Sequence, residues 1–196
     1  GAYLLSRKDF YCKKYLSIMA IITMFFSGGL IPTYLVVKSY GMLNSVWALV
    51  IPGAISTWNL MIMKTSFAEI PDSLTESARI EGAGELRILI SIILPLSLPI
   101  ISVMVLYYGV GHWNSWFSAM VYIRNRKMYP LQIFLREILV GSTQSLVIDA
   151  NDAESTYVAE TVKHATIIVA TLPILMVYPF IQKYFVKGIF IGAIKG

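Results

Sequence analysis

Four stretches of this chain, at about residues 16–37, 44–63, 96–121 and 164–186, are apolar over roughly the 20 residues that a helix needs to cross the hydrocarbon of a bilayer. Few other environments accept so many such stretches. The chain is 57% hydrophobic and 14% charged, which leaves too little polar surface to clothe a soluble globule of 196 residues. The expected fold class is an all-α integral membrane protein with four transmembrane helices, in one transmembrane domain over residues 1–196.

Other classes are disfavoured. Cys12 stands alone, so no intrachain disulfide or thiol pair exists, and two His in the chain offer little for a metal site. The net charge of +5 needs no nucleic acid, because Lys and Arg cluster beside the apolar stretches, where lipid headgroups and topology account for them. A phosphate-cradling loop is missing: Lys38-Ser39 and Lys64-Thr65 are the only Lys-Ser/Thr pairs and neither has Gly before Lys. No catalytic residue is assigned. The chain opens without an initiator Met or a span of its own, which reads as a fragment.

Basic residues set the orientation. Arg7, Lys8, Lys13, Lys14, Lys64, Arg79, Arg87, Lys183, Lys187 and Lys195 fall on one side of the four-span arrangement; Lys38, Arg124, Arg126, Lys127, Arg136 and Lys163 fall on the other. The richer side is expected to be cytoplasmic, with both ends of the chain there. The segment 64–95 is then cytoplasmic and 122–163 extracytoplasmic.

The cytoplasmic segment is an island of charged and small residues. Pro71 ends what precedes it, Asp72 or Ser73 can cap a helix, and Ser73 with Glu76 fits a capping box. Ala78 and Gly82 at i and i+4 leave one helix face nearly bare, and Gly82-Ala83-Gly84 permits a sharp turn before "ELRILISIILP" resumes as helix. The expected result is a helix-turn-helix bracket whose bare face admits another surface, rimmed by Glu76, Arg79, Glu81 and Arg87.

Glu76-Ser77-Ala78, three residues, Gly82, nine residues, then Ile92-x-Leu94-Pro95 resembles the EAA signature of permease subunits of bacterial ABC importers, with Ser77 in place of the first Ala. "TMFFSGGLIPTYL", "GHWNSWF", "YPLQIFLREIL" and "YFVKGIFIGAIKG" resemble the carbohydrate branch, similar to the smaller maltose-transporter permease and to permeases for oligosaccharides or polysaccharide fragments. The resemblance implies a type I importer permease fold, with this chain matching the last four of about six spans. It implies a bacterial inner-membrane location and a coupling role for Glu76, Ser77, Ala78, Arg79, Glu81, Gly82, Ala83, Ile92, Leu94 and Pro95. Implied partners are ABC ATPase subunits carrying ATP and Mg, a second permease in a heterodimer, an extracellular solute-binding protein, the carbohydrate and membrane lipid. The chain itself would be no enzyme and hold no cofactor. A type I permease for a non-sugar solute is the alternative, and a non-transport membrane scaffold the more distant one.

Local features retain plainer readings. Pro95 and Pro99 can simply kink a helix, and Gly28-Gly29 with Pro32 can bend the first span. Gly188, Gly192 and Gly196 read as tail packing. Leu131, Phe134, Leu135 and Ile138 have the spacing of an amphipathic helix, after which Asp149, Asp152 and Glu154 are candidate contacts for the binding protein. "GHWNSWF" lies in an apolar run from about 96 to 123, and as one helix entered at Pro99 it places His112 about 20 Å deep in a core of about 30 Å. His112, Trp113, Asn114 and Trp116 are the substrate-pathway candidates, since indole, amide and imidazole suit the C–H faces and hydroxyl rims of a sugar. On an unbroken helix His112 and Trp116 share a face.

Overall fold

The computed structural model describes the backbone of residues 1–148 and 153–193 and the side chains of residues 1–141, 157–158 and 160–182. Among the described residues every regular element is helical. Among these residues, helix α12 (Ala153–Ala193) contains the one stretch, Glu160–Gln182 with mean hydropathy 1.8, that is long and apolar enough to cross a membrane unaided. The backbone of Gly188 and Gly192 continues this helix; Asp149, Asp152, the side chain of Glu154 and Gly196 fall outside the described residues.

The other three expected spans are interrupted. Residues 16–37 fall in α2 (Lys13–Phe25) and α3 (Leu30–Ser39), bent by 117° at Phe26–Gly29. Gly29 has φ +82°, a conformation open to glycine, and Thr33 Oγ1 donates to its carbonyl at 2.7 Å. Residues 44–63 fall in the short α4 (Trp47–Val50), a 3-10 turn at Ile51–Gly53, and α5 (Thr57–Ala68), whose first turn is capped by Ser56. Residues 96–121 divide between α9 (Leu98–Trp113) and α10 (Trp116–Tyr122). Each break falls where glycine, proline or a short polar side chain weakens the helical ladder.

The chain divides into two compact units. The first comprises Gly1–Thr33, Gly53–Tyr107 and the end of α12 from Ile181. It contains α1 (Ala2–Ser6), which packs on α5, and the bracket formed by α6 (Asp72–Ile80), α7 (Glu85–Ile88), a π-helical turn at Leu89–Ile93 and α8 (Leu94–Leu96). Buried Ala2, Tyr3, Phe67, Ala78, Ile88 and Ile93 form its core. Pro95 and Pro99 flank the point at Ser97 where Glu85–Leu96 and α9 meet at 84°, so the prolines do kink this region.

Ion pairs fasten the N-terminal segment to the bracket. Arg7 pairs with both Asp9 and Glu85, Tyr3 Oη donates to Glu85 at 2.8 Å, and Arg79 Nε donates to Glu85 at 3.1 Å. Arg79 also lies 3.7 Å from Asp9, and Lys8 donates to Asp72 at 2.6 Å. The hydrogen bond from Arg7 holds the Asp9 carboxyl down at about 2. Burial pushes Glu85 up, but hydrogen bonds from Tyr3 and Arg7 outweigh it and leave Glu85 below the usual carboxylate range. Burial, and then the bond to Glu85, raise Tyr3.

The second unit comprises Tyr34–Pro52 and Tyr108–Phe180. Its cores are Val37, Ala48 and Tyr122, the last stacked on Tyr34 with ring centroids 6.2 Å apart, and Ala119, Ile123 and Ile133. Asn44 fastens the loop before α4 to the exit of α10: its N–H donates to the Tyr122 carbonyl at 2.9 Å, and its Oδ1 accepts from the N–H groups of Arg124 and Asn125 at 3.1 and 2.9 Å. Its φ of +58° suits Asn better than most residues with a Cβ. The expected amphipathic helix is present as α11 (Leu131–Ile148): of the expected stripe Leu135 is buried and Phe134 half-buried, Leu131 and Ile138 are exposed, and Ile133, outside the stripe, is buried.

Two measurements test these fastenings. Asn44→Ala removes an acceptor shared by two N–H groups and strains a left-handed residue, so it is expected to cost about 1 kcal/mol and lower the detergent-solubilised Tm by about 2–4 °C, while Asn44→Asp stays near the parent. Arg7→Gln is expected to lower Tm at pH 7. Because the Asp9 and Glu85 carboxyls are depressed in the folded state, the stability they contribute is present above about pH 4 and is lost as pH falls toward 2. The Tm difference between Arg7→Gln and the parent should therefore shrink over that interval; a constant difference would show that the pairs contribute nothing.

Candidate functional site

The bracket is built around the end of α6. Ala83 N–H donates to the Ala78 carbonyl and Gly82 N–H to the Arg79 carbonyl, both at 2.9 Å, which is the double closure of a Schellman turn. Gly82 supplies the left-handed residue that the turn requires, at φ +83°. Gly84 then starts α7. The capping box expected from Ser73 and Glu76 does not form: the cap position falls two residues earlier, at Pro71, with no side-chain cap, and Asp72 in the first turn of α6 is paired with Lys8.

The small-residue face is also used differently from the expectation. Ala78 is buried against Phe67, Ile88 and Ile93 of its own unit, with Ala83 and Ile92 packed on the same cluster. Its size is set by the chain's own core, and the bracket offers its other face to solvent. Arg79 is not a free rim charge, since it joins the Asp9 and Glu85 network. Glu76, Ser77 and Glu81 are exposed, Pro95 is exposed and Leu94 half-buried. Ile80, which periodicity alone did not single out, is 88% exposed immediately before the Gly82 turn. Leu86, just beyond the turn, is likewise 71% exposed, so the bracket leaves apolar side chains uncovered on both sides of Gly82.

The aromatic candidates separate. Asn114 interrupts the helix: its Nδ2 donates to the Val110 carbonyl at 3.0 Å, Ser115 Oγ donates to the His112 carbonyl at 2.6 Å, and α10 restarts at Trp116. The break removes the regular spacing on which His112 and Trp116 were expected to share a face. Trp113 Nε1 donates to the Ala170 carbonyl of α12 at 3.0 Å, which makes it a helix-to-helix anchor. His112 is exposed. Trp116 lines a cleft of about 420 Å³ with Gln132, Leu135, Arg136, Leu139, Thr166, Ile167, Ala170 and Thr171. The Arg136 guanidinium lies over the indole, 4.3 Å from its centroid. Gln132 and Arg136 escape detection from sequence because they are 16 and 20 positions from Trp116, and only the seating of α11 brings them to it.

Comparison with known proteins agrees with this architecture. Residues 15–191 match the family described as binding-protein-dependent transport system inner membrane component. The chain is 46% identical over 196 residues to the polygalacturonan/rhamnogalacturonan transport system permease protein YtcP of Bacillus subtilis (strain 168), covering all of this chain and 68% of that protein. It is 44% identical over 195 residues to protein LplC of the same organism, again over the whole chain and 66% of the relative. A crystal structure of a bacterial ABC transporter involved in the import of the acidic polysaccharide alginate superposes with a TM-score of 0.80 at 31% identity, over 94% of this chain and 66% of that one. The chain thus spans about two thirds of the length of these proteins. With a helical architecture, a family match from residue 15 to residue 191 and close relatives over its full length, this chain belongs to the binding-protein-dependent transport system inner membrane components.

Proposed function

We propose that this chain is part of the membrane permease subunit of an ATP-driven carbohydrate importer, that an extracellular binding protein supplies an oligosaccharide, and that the bracket Asp72–Leu96 receives the stroke of a separate ATPase. Relatives named for polygalacturonan/rhamnogalacturonan, galactooligosaccharides and arabinooligosaccharides support the carbohydrate. The observation that carries the coupling role is the Gly82 turn, which fixes α6 by its own hydrogen bonds and leaves Ile80 bare at its end. An apolar knob on a rigid, ion-paired mount is suited to seat in a groove of a partner and to pass on its movement. A second permease chain would complete the pathway, and the segment 64–95 would lie on the cytoplasmic side.

The test is transport and binding-protein-stimulated ATPase activity in a reconstituted complex containing the full-length subunit. Ile80→Glu touches no core residue, so Tm is expected to hold while stimulation falls at least several-fold. Gly82→Leu forces a side chain into a left-handed conformation costing about 1–2 kcal/mol and should abolish transport, whereas Gly82→Asn, which tolerates that conformation, should retain much of it. Native coupling in both Ile80→Glu and Gly82→Leu would refute the role. For orientation, single cysteines at Glu81 and Arg126 in a Cys12→Ser background are expected to react with an impermeant reagent from opposite sides; reaction from one side would overturn the arrangement.

A further inference from the structure

Among the described residues, the cleft beside Trp116 is lined by one cation and no anion. That cation is Arg136, and among the same residues its guanidinium has no hydrogen bond or carboxylate partner; its contact is the indole face. The neighbouring acid, Glu137, points its charge elsewhere, paired with Arg126 at 2.6 Å. Held flat against an aromatic ring, an arginine keeps its charge and loses part of its motion, yet its in-plane N–H groups remain free to meet a carboxylate two at a time. The remaining walls divide by chemistry. Leu135, Leu139, Ile167 and Ala170 are apolar, as the C–H face of a pyranose requires, while Gln132 and Thr166 offer amide and hydroxyl groups to ring hydroxyls. The side-chain hydroxyl of Thr166 spends its proton on the Val162 carbonyl at 2.7 Å and keeps its acceptor capacity. A volume of about 420 Å³ lies within the range that holds small ligands.

From this we infer that the cleft is a transient site for a carboxylated sugar, a uronic-acid residue of the transported glycan, whose carboxylate is read by Arg136 while its ring lies along the apolar wall. The inference rests on the carbohydrate-permease reading and narrows its substrate class. A neutral sugar would leave the Arg136 charge unanswered, and a larger aromatic or peptide ligand would not use the mixed wall. The site is shallow and has one strong contact, which is what a pathway needs if the sugar is to be released again.

The experiment uses the complete reconstituted transporter with its binding protein in excess, and compares initial uptake of an oligogalacturonate trisaccharide with its methyl ester. For each sugar the rate of the variant is divided by that of the parent, so any preference of the binding protein cancels. Arg136→Gln is expected to cut uptake of the free acid by roughly tenfold, the loss of about one charge-assisted pair, and to change uptake of the ester little. Arg136→Lys, which keeps the charge and loses the planar fork, should lie between. An equal fall for both sugars, or for neither, would overturn the inference. So would a parent complex that moves the ester and not the acid, a result that leaves the permease reading standing. A parent that moves no carbohydrate would remove that reading as well. If the variant's loss follows the anionic lipid content of the vesicles and not the sugar's charge, Arg136 serves a headgroup and the inference fails. Should Arg136→Gln fail to assemble, the acid-to-ester ratio of the parent and of Arg136→Lys decides the question.

Discussion

A hydrocarbon core supplies no hydrogen bonds, so a helix that breaks within one must have its freed peptide groups answered by protein. The structure shows how. At the bend between α2 and α3, Phe26 N–H still reaches the Ile22 carbonyl at 2.9 Å, Ser27 Oγ accepts from Gly29 N–H, and Thr33 closes on the Gly29 carbonyl. Between α9 and α10 the side chains of Asn114 and Ser115 take the Val110 and His112 carbonyls. Short polar residues stand at these points because they can carry a hydrogen bond back to the preceding turn without a long side chain. The Val110, His112 and Gly29 carbonyls also accept backbone N–H groups, so each break keeps main-chain and side-chain hydrogen bonds of its own.

The same economy organises the bracket. Its turn closes on itself through Gly82 and Ala83, its inner face is filled by Ala78 and Ile88, and its charges at Asp72, Arg79 and Glu85 are answered from residues 7 to 9. Little is left to be satisfied by a partner except the exposed side of α6. That division separates what holds the element in place from what it offers to another protein, and it explains why Ala78 and Ile80, two positions apart, have opposite exposures.

Features that depend on neighbours along the chain are legible in the amino-acid sequence alone. The Gly82 turn, the helix ahead of it, the kink at Pro95 and Pro99 and the helical character of residues 131 to 140 are all short-range consequences of residue type and spacing, whereas the continuation of that helix to Ile148 runs through residues that read as a polar stretch. What sequence misjudges is the direction in which side chains face. Ala78 looks like an outer surface because nothing local reveals that Tyr3 and Phe67 fill the space beside it. His112 and Trp116 look like one face because a two-residue interruption is enough to destroy a helical period. Leu131 and Ile138 fit the apolar stripe but are exposed, and Ile133, which does not fit it, is the one buried with Ala119 and Ile123.

The π-helical turn at Leu89–Ile93 has an effect on rotational phase. Ile88 and Ile93 are five residues apart, which in a regular α-helix would set them about 140° apart around the axis, yet both are buried in one core. A wide turn of this kind inserts one residue into the ladder and so brings the two toward the same side. Deleting a single residue from this stretch would restore the regular ladder with the two four positions apart, about 40° around the axis, so they would still share a side. The wide turn is therefore the way one extra residue is carried between Gly82 and Pro95 without turning the rest of the helix out of phase.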